Sequence, residues 1–436
     1  MKKIIVAGAG HGGLIAAYHL AKAGYDVTVY EKQQREELGH DWHDYLDMTA
    51  FDGAGIPRPD ESMYRPGAKQ AFRNPKGNVK IEVAYKEDAR VMDRKVLYSY
   101  LLSFADEAGV KFLFGAEIKG VLFDNRKITG LKIARDGAEE RIYADLVIDA
   151  AGMYSVVRRN LPAFCEIQRE IAEKDIFHVY RAYYRNSEEI HCDVPYVMDL
   201  FHKNRPGLGW TIFEEDYTDI LIGKFGAAGE LTEDEINAAL ESYRRDYPFI
   251  TEEIVRGGGS VRDIPISKML PMIVADGYAA VGDSAAMTIP LNGSGIVLSM
   301  NAGKLLADAV IEAEGKTDKK SLWKYQYKYF TTLAKDLVIV AKLKDFFTFV
   351  DGSLVDYFLE ENILSAELLA CGNGDINIPT KQIFYILSKI GPVLKLTPDI
   401  IRNFKSVVRL PAAINDMPEE YDEDKVKAWV ENYKKI

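Results

Sequence analysis

A glycine-rich segment near the start of the chain is the feature that most constrains the fold. Residues 8–13 read Gly-Ala-Gly-His-Gly-Gly, a GxGxxG pattern that follows an apolar stretch at residues 3–7. An amphipathic stretch at residues 14–23 comes next, and residues 26–30 then alternate between polar and apolar side chains before Glu31. This order predicts a strand, a tight turn, a helix and a second strand, as in the opening unit of a dinucleotide-binding domain.

The glycines of this turn leave room for a phosphate group beside the main chain. Gly8 permits the sharp turn, Gly10 lets the backbone approach a pyrophosphate, and Gly13 lets the helix pack closely on the strand. The pyrophosphate faces the positive end of the helix dipole, while Glu31 can accept hydrogen bonds from a ribose and would repel a 2′-phosphate. The turn therefore predicts FAD or NAD, and disfavours NADP. The candidate contacts are Gly8, Gly10, His11, Gly12, Gly13, Glu31 and Lys32.

Length, charge and cysteine content restrict the class of protein further. A chain of 436 residues with 47% hydrophobic residues allows two or three domains and a core large enough to enclose a cofactor. The formal charge of −11 repels phosphate backbones, so nucleic acid is not expected as a partner. The three cysteines form no CxxC pair, which predicts neither a zinc site nor a disulfide framework and fits a cytoplasmic location.

The sequence is compatible with contact between the protein and a membrane surface. The sequence has no run approaching the roughly 18 apolar residues of a membrane span. Between residues 381 and 410, six basic side chains accompany a single acid, Asp399. This basic segment is either a solvated helical face or a site for an anionic headgroup or membrane surface.

Two later motifs favour FAD over NAD as the cofactor. Residues 146–152 read Leu-Val-Ile-Asp-Ala-Ala-Gly, and Gly282-Asp283-Ser284 precedes a segment that reads Pro-Leu-Asn-Gly-Ser-Gly-Ile at residues 290–296. With these motifs the chain resembles the FAD-dependent flavoproteins of the aromatic hydroxylase-like fold. The resemblance implies that Asp283 binds the ribityl or pyrophosphate part of FAD and that a helix beginning near residue 293 lies by the flavin ring. The further cofactor contacts implied are Gly152, Pro290, Gly293, Ser294, Gly295 and Ile296, with Arg94 either beside the cofactor or facing solvent.

Within this superfamily the chain resembles the geranylgeranyl reductase-like branch. The matching residues are Asp149-Ala150-Ala151-Gly152, Arg158-Arg159 and Leu161-Pro162, with Ala151 where a serine is common. A Gly-x-Trp-x-Phe-Pro-like segment is also present around Trp210, although Glu214 stands where proline is expected. The cysteine segment of archaeal members has no counterpart near residues 39–47.

The resemblance implies a mixed α/β (α+β) fold. We expect a Rossmann-like FAD-binding domain in residues 1–165, of which a short piece near 70–90 belongs to the next domain. Residues 166–265 are predicted to form an inserted antiparallel β substrate domain, because aromatic-rich β segments dominate them. Residues 266–318 would return to the FAD-binding domain, and residues 319–436 would form a C-terminal helical region.

Few side chains stand out as candidates for the chemistry. His40 and His43 are candidate catalytic proton donors because histidine titrates near neutral pH, although a surface turn or a headgroup contact explains them as well. Tyr183, Tyr196 and Trp210 lie on predicted strands and could line an apolar substrate pocket, or belong to the core. The aromatic residues of the C-terminal helices could likewise wall a tunnel or form ordinary core. No metal ligands are predicted.

The motifs together predict an FAD-dependent oxidoreductase that reduces C=C bonds of an apolar isoprenoid or lipid-like substrate. Reduced FAD would supply a hydride and a nearby acid would supply a proton. Two alternatives remain: a flavin-dependent monooxygenase, and a protein of this fold that binds prenyl lipid without turnover. Because a second dinucleotide fingerprint is not evident, electrons would come transiently from NAD(P)H or from a reductant protein.

Overall fold

The apolar stretch before the glycine turn and the apolar stretch at residues 146–149 form neighbouring strands of one sheet. The structure, a computed structural model, describes residues 2–83, 88–201, 205–348, 350–366 and 412–436, with isolated positions 369, 388, 389, 405 and 409. The first sheet has six strands, of which five are parallel and Val274–Ala275 is antiparallel. Their spatial order is Val274–Ala275, Tyr278–Ala280, Leu146–Asp149, Lys3–Ala7, Asp26–Tyr30 and Lys111–Leu113.

Three helices flank this sheet and bury their apolar faces on it. His11–Lys22 follows the glycine turn, and close packing against Ile296–Glu312 places Gly303 so near Gly12 that a β-carbon there would lie 2.2 Å from the Gly12 carbonyl oxygen. Arg94–Glu107 begins at Asp93, whose side chain accepts a hydrogen bond from the Lys95 main-chain N–H. The short helices Thr49–Gly53 and Val156–Arg159 complete this part of the fold.

A second, larger sheet contains the aromatic-rich segments. Its main path runs through Ile250–Ile254, Ile176–Asn186, Tyr217–Phe225, Leu208–Phe213, Tyr196–Leu200, Gln70–Arg73 and Lys80–Val83, and Ser260–Pro265 pairs with Ile176–Asn186. The helix Glu233–Asp246 covers one face of this sheet through Ala239, Leu240 and Tyr243. Side chains of the large sheet also pack with the C-terminal helices through Phe346, Val355 and Phe358. Residues 70–83 thus join the sheet although they precede most of it in the chain.

Two three-stranded antiparallel sheets complete the β structure of the described residues. One contains Glu117–Asp124, Lys127–Arg135 and Ala138–Tyr143. Its turns lie at Asn125 and Arg126, with φ 44° and 65°, and at Asp136 and Gly137, with φ 51° and 80°. The other contains His43–Asp47, Ala89–Asp93 and Tyr64–Pro66, which the sequence did not predict.

The C-terminal region is helical where the structure describes it. Its helices are Lys319–Lys328, Leu337–Phe347, Gly352–Glu360 and Glu423–Lys435, with a π-helical turn at Tyr329–Leu333. Phe346 and Phe358 stack at 6.2 Å between ring centroids and pack with buried residues of the large sheet.

In the described residues no helix is long and apolar enough to cross a membrane. The basic segment at 381–410 lies outside the described residues except for Ser388, Lys389, Lys405 and Arg409.

The mixed α/β fold with an FAD-binding architecture is confirmed. The helix predicted from residues 14–23 is found at His11–Lys22, and the helix expected to begin near residue 293 is found at Ile296–Glu312. The boundaries proposed between the four segments stay a prediction.

Candidate active site

The glycine turn is held against the second nucleotide-binding motif with no room for side chains. A β-carbon at Gly8 would lie 2.7 Å from the Ala150 carbonyl oxygen, and one at Gly10 would lie 2.9 Å from the same atom. Gly8 also has φ +89°, which disfavours any side chain. Gly10 is the residue before the first helix, and no side chain caps this helix. The main-chain N–H groups of the first helical turn therefore remain free to bind an anion.

Glu31 is fixed at the end of the second strand. It is 8% exposed, and its carboxylate accepts hydrogen bonds from the main-chain N–H groups of Ala9 at 2.8 Å and Gln33 at 2.9 Å. This holds the acid beside the glycine turn, where the sequence predicted a ribose contact. Lys32 does not line the main cavity described below. It lies with Gln33 and Gly115 along a separate, open cavity of about 570 Å³.

Hydrogen bonds connect two motifs that are 130 residues apart in the chain. The buried Asp149 carboxylate accepts from Ser155 Oγ at 2.6 Å and Tyr278 Oη at 3.0 Å. Gly152 donates its N–H to Ser284 Oγ at 2.9 Å, and Arg158 donates to the Ser284 carbonyl oxygen at 2.7 Å. The 149–158 and 282–285 segments therefore form one rigid unit, and this unit positions Asp283.

Asp283 and residues 292–296 form a second part of the site, where the helix Ile296–Glu312 begins. Burial raises the pKa of the Asp283 carboxyl, against the opposing effect of Arg94 and Arg158. Gly293 has φ +74° and donates its N–H to the Ile289 carbonyl oxygen at 2.9 Å, while buried Pro290 lies within the same turn. The helix Ile296–Glu312 begins after Gly295 with no side-chain cap, so its first N–H groups are free.

One cavity of about 360 Å³ collects residues from these motifs and from the large sheet. The motif residues at the cavity are His11, Arg94, Asp283, Asn292, Gly293, Ser294, Gly295, Ile296 and Ser299. The large sheet contributes Gln70, Val179, Arg181, Tyr196, Met198, Trp210, Ile212, Leu221, Arg262, Asp263 and Ile264. The segment before and within the 43–47 strand adds His40, Trp42, Asp44 and Tyr45.

Strand alternation explains which sheet residues reach the cavity. Residues paired across neighbouring strands point to the same face. One such row is Gln70, Tyr196 and Ile212, and the next is Met198, Trp210, Leu221 and Arg181. Tyr196 and Trp210, predicted as pocket residues, therefore lie together at 6.0 Å between ring centroids.

Tyr183 is buried but is not among the residues that line the cavity. Its hydroxyl accepts a hydrogen bond from the His43 main-chain N–H at 3.1 Å, and the two rings meet edge to face. It therefore holds the 43–47 strand on the large sheet. Its role as a substrate contact stays a prediction. The C-terminal aromatics Phe346 and Phe358 are core residues that do not line the cavity.

Arg181 is a buried cation on the cavity floor that the sequence analysis did not single out. It makes two hydrogen bonds to Asp219, at 3.0 and 2.6 Å, and one to the His43 carbonyl oxygen at 2.7 Å. The rings of Trp42 and Trp210 lie 5.2 and 5.4 Å from its guanidinium carbon. Asp44 bridges Arg181 at 3.4 Å and Arg94 at 2.6 Å. The two arginines are thus balanced by two acids.

Arg181→Met should be strongly destabilising. Asp219 is 0% exposed, so removing its partner leaves a buried, uncompensated charge and lowers the free energy of unfolding by about 3–5 kcal/mol. Chemical denaturation measures this change. The matched control is Arg185→Met on the same strand, whose ion pair with Glu253 is exposed and should contribute little. Equal unfolding midpoints for the two variants would contradict this account.

The three histidines of the site differ in position. His11 packs its ring on Tyr98 at 4.5 Å, and burial with nearby Arg94 lowers its pKa to about 3. Its Nε2 atom is buried without a hydrogen-bond partner. His40 lines the cavity and packs on Trp42 at 4.3 Å, and partial burial with Arg94 lowers its pKa to about 4. His43 is 3% exposed and lies outside the cavity lining, and burial lowers its pKa to about 4.

The residues present fit FAD. Close packing excludes side chains from the glycine turn, two helices present free N–H groups, and His11 Nε2 is an unpartnered buried group at the cavity. Glu31 and Asp283 would supply acceptors for sugar hydroxyls at two separate places, as an extended dinucleotide requires. Arg94 lines the cavity but is also paired with Asp44, so it belongs to both the cofactor motifs and the charge network.

Comparison with known proteins agrees with this geometry. Residues 1–207 match the family described as FAD binding domain. Digeranylgeranylglycerophospholipid reductase 2 of Methanococcoides burtonii is 27% identical over 93% of this chain and 96% of its own length. The corresponding reductase of Methanothrix thermoacetophila is 26% identical over 79% of this chain and 87% of its own.

Solved structures show the same fold. A geranylgeranyl bacteriochlorophyll reductase-like protein of Thermoplasma acidophilum superposes with a TM-score of 0.74 at 19% identity, covering 93% of this chain and 99% of its own. The flavin-dependent brominase Bmp2, in a triple mutant, gives 0.65 at 16% identity over 90% and 100%. The fold and the nucleotide-binding motifs define the chain as an FAD-dependent oxidoreductase. Within that class, the predicted resemblance to the geranylgeranyl reductase-like branch agrees with the names of the relatives that the chain is similar to.

Proposed function

We propose that this enzyme reduces C=C bonds of an apolar, isoprenoid lipid-like substrate. One observation carries the proposal: a single cavity joins the flavin-motif residues around Asp283 and Gly293 to an apolar and aromatic sheet face. That face includes Val179, Met198, Ile212 and Leu221, which suit a hydrocarbon chain. The relatives named above are reductases of digeranylgeranylglycerophospholipids, which supports an isoprenoid lipid as the substrate.

The chain's own residues would hold the cofactor and shape the reaction site. When bound, reduced FAD supplies the hydride for one alkene carbon. The first turn of the 296–312 helix would stabilise negative charge on the flavin ring through its free N–H groups. Glu31 and Asp283 would bind sugar hydroxyls, and the aromatic face would exclude water from the reacting bond.

The proton for the second alkene carbon is assigned to His40 in this proposal. His40 lines the cavity, whereas His43 does not. With a pKa lowered to about 4, His40 is a neutral imidazole at pH 7 and has no acidic proton to give. The assignment therefore requires that the negative charge of the bound, reduced cofactor raise the pKa of His40 so that the imidazole takes up a proton from solvent before it donates it to the alkene. His43 remains a second candidate for this proton donor, with less support because it does not line the cavity.

His40→Phe is expected to slow alkene reduction about a hundredfold, the lower end of the range for loss of a general acid. Flavin reduction by the electron donor should be unchanged. His43→Phe is the comparison, since it removes a buried imidazole that lies outside the cavity lining. Rapid-mixing absorbance separates the two half-reactions. Unchanged alkene reduction in both single variants and the double variant would remove the histidines from the mechanism.

The proposal includes a transient electron donor, either NAD(P)H or a reductant protein, and peripheral contact with a membrane surface. Lipids of this class partition into bilayers, so an enzyme without a spanning helix in its described residues would meet them at the surface. A cytoplasmic location fits the reducing environment inferred from the cysteine content.

Anaerobic reoxidation of the photoreduced protein tests the activity. We expect an unsaturated isoprenoid lipid to restore the oxidised flavin spectrum and the saturated analogue to have no effect. Reoxidation only after air is admitted, with oxygen incorporated into the lipid, would instead indicate a monooxygenase. Tight lipid binding with no flavin in the purified protein would indicate a non-catalytic carrier.

A further inference from the structure

The apolar sheet face of the cavity contains two polar side chains without partners. Gln70 is 4% exposed and Tyr196 is 7% exposed, and both line the cavity. Among the described residues, neither the Gln70 carboxamide nor the Tyr196 hydroxyl makes a hydrogen bond. Both side chains line the cavity and have no protein partner, so their donors and acceptors are free to hydrogen-bond a polar group of a ligand that enters it.

The two side chains are neighbours held by rigid structure. Gln70 and Tyr196 are paired in register on adjacent parallel strands, so they point to the same face. Tyr45 packs on the Tyr196 ring at 5.0 Å, and Trp210 packs on it at 6.0 Å. Ile212, the next residue across the sheet, is apolar. The polar pair is therefore a small, fixed site next to the apolar part of the sheet face.

The chemistry of the pair favours an uncharged oxygen. A tyrosine hydroxyl and a carboxamide together offer donors and an acceptor, without net charge. Two of the cations that line the cavity are paired, Arg181 with Asp219 and Arg94 with Asp44, whereas Arg262 is an exposed cation of the lining with no ion pair among the described residues. A charged headgroup would therefore meet Arg262, and the uncharged pair suits a hydroxyl, ether or carbonyl oxygen.

We propose that Gln70 and Tyr196 form a subsite that binds an uncharged oxygen of the substrate and thereby fixes which double bond lies at the flavin. The inference rests on the proposed function, because the ligand is the isoprenoid substrate. It adds that the substrate carries an alcohol, ether or carbonyl oxygen next to its hydrocarbon chain. A chain anchored at one end by this contact would present the same bond in every turnover.

Equilibrium binding to the FAD-loaded, oxidised enzyme tests the subsite without turnover. The probes are a C20 isoprenoid alcohol and the matched hydrocarbon with methyl in place of hydroxymethyl, delivered in the same detergent. We expect about tenfold tighter binding of the alcohol. Tyr196→Phe and Gln70→Met should remove this preference and leave hydrocarbon affinity unchanged. Tyr143→Phe, at a 57% exposed tyrosine, is the control and should keep it.

Several outcomes would overturn the subsite. These are equal affinity for the two probes, no binding of either, or equal losses for both probes in the variants. A change in FAD affinity or spectrum in Tyr196→Phe without added ligand would assign the pair to the cofactor instead. Product analysis gives a second readout: the variants should saturate several different bonds where the parent enzyme saturates one. Failure of alkene reduction with the alcohol preference intact would count against the proposed function and not against the subsite.

Discussion

Gly10→Val should yield a folded protein that purifies without flavin. A β-carbon at this position would already lie 2.9 Å from the Ala150 carbonyl oxygen, and the branched side chain would occupy the space where a pyrophosphate meets the helix N-terminus. The affinity for FAD is expected to fall at least a hundredfold, on the order of 3 kcal/mol of binding free energy, and the loss of bound flavin is read from the ratio of absorbance at 450 and 280 nm.

The control for this variant is Gly120→Val. Gly120 lies in the strand Glu117–Asp124, and a β-carbon there would have no neighbour within 4 Å. It should retain full flavin. Circular dichroism of both variants shows whether they are folded. A folded Gly10→Val protein with full flavin would contradict the assignment of the glycine turn to FAD.

Asp283→Ala should weaken FAD binding and stabilise the flavin-free protein. Loss of an ionised acceptor for a cofactor hydroxyl costs about 1.5–3 kcal/mol, or roughly 10- to 100-fold in Kd. In the flavin-free protein the same carboxylate is a cost, because burial raises its pKa. That cost appears as the pH rises above the pKa of the unfolded chain, about 3.9, and is complete above the higher folded pKa.

The measurements are a flavin titration and thermal unfolding of the flavin-free protein at pH 4 and pH 7. The stability gain of Asp283→Ala over the parent should be larger at pH 7. Exposed Asp193→Asn is the control and should change neither quantity. Unchanged FAD affinity would show that Asp283 does not contact the cofactor, and a loss of stability in the flavin-free variant would contradict the buried-charge account.

Local sequence patterns predicted the flavin-binding half of the molecule well. The glycine turn, the helix after it and the acid at Glu31 are close in sequence, so periodicity and spacing were sufficient to place them. The start of the helix Ile296–Glu312 was also expected, near residue 293. The joining of the 149–158 and 282–285 segments through Ser284 was not, because such contacts depend on how distant strands pair.

The charge network on the cavity floor could not be predicted from the sequence. Arg181 sits among aromatic residues on a predicted strand, but its partners Asp44 and Asp219 are far away in the chain. Alternation shows that residues 179, 181 and 183 share a face, but not that Tyr183 lies under the 43–47 strand. That strand itself was missed, since its residues His-Asp-Tyr-Leu-Asp have a mostly polar pattern and depend on pairing with Ala89–Asp93.

The central claim is that this enzyme adds hydrogen across an isoprenoid C=C bond without oxygen. A single turnover of the photoreduced enzyme under anaerobic conditions in D₂O, followed by mass spectrometry of the lipid, tests it most directly. The account predicts one saturated bond per flavin oxidised, no added oxygen, and deuterium on the product. An unchanged lipid, or a product heavier by one oxygen after air is admitted, would contradict it.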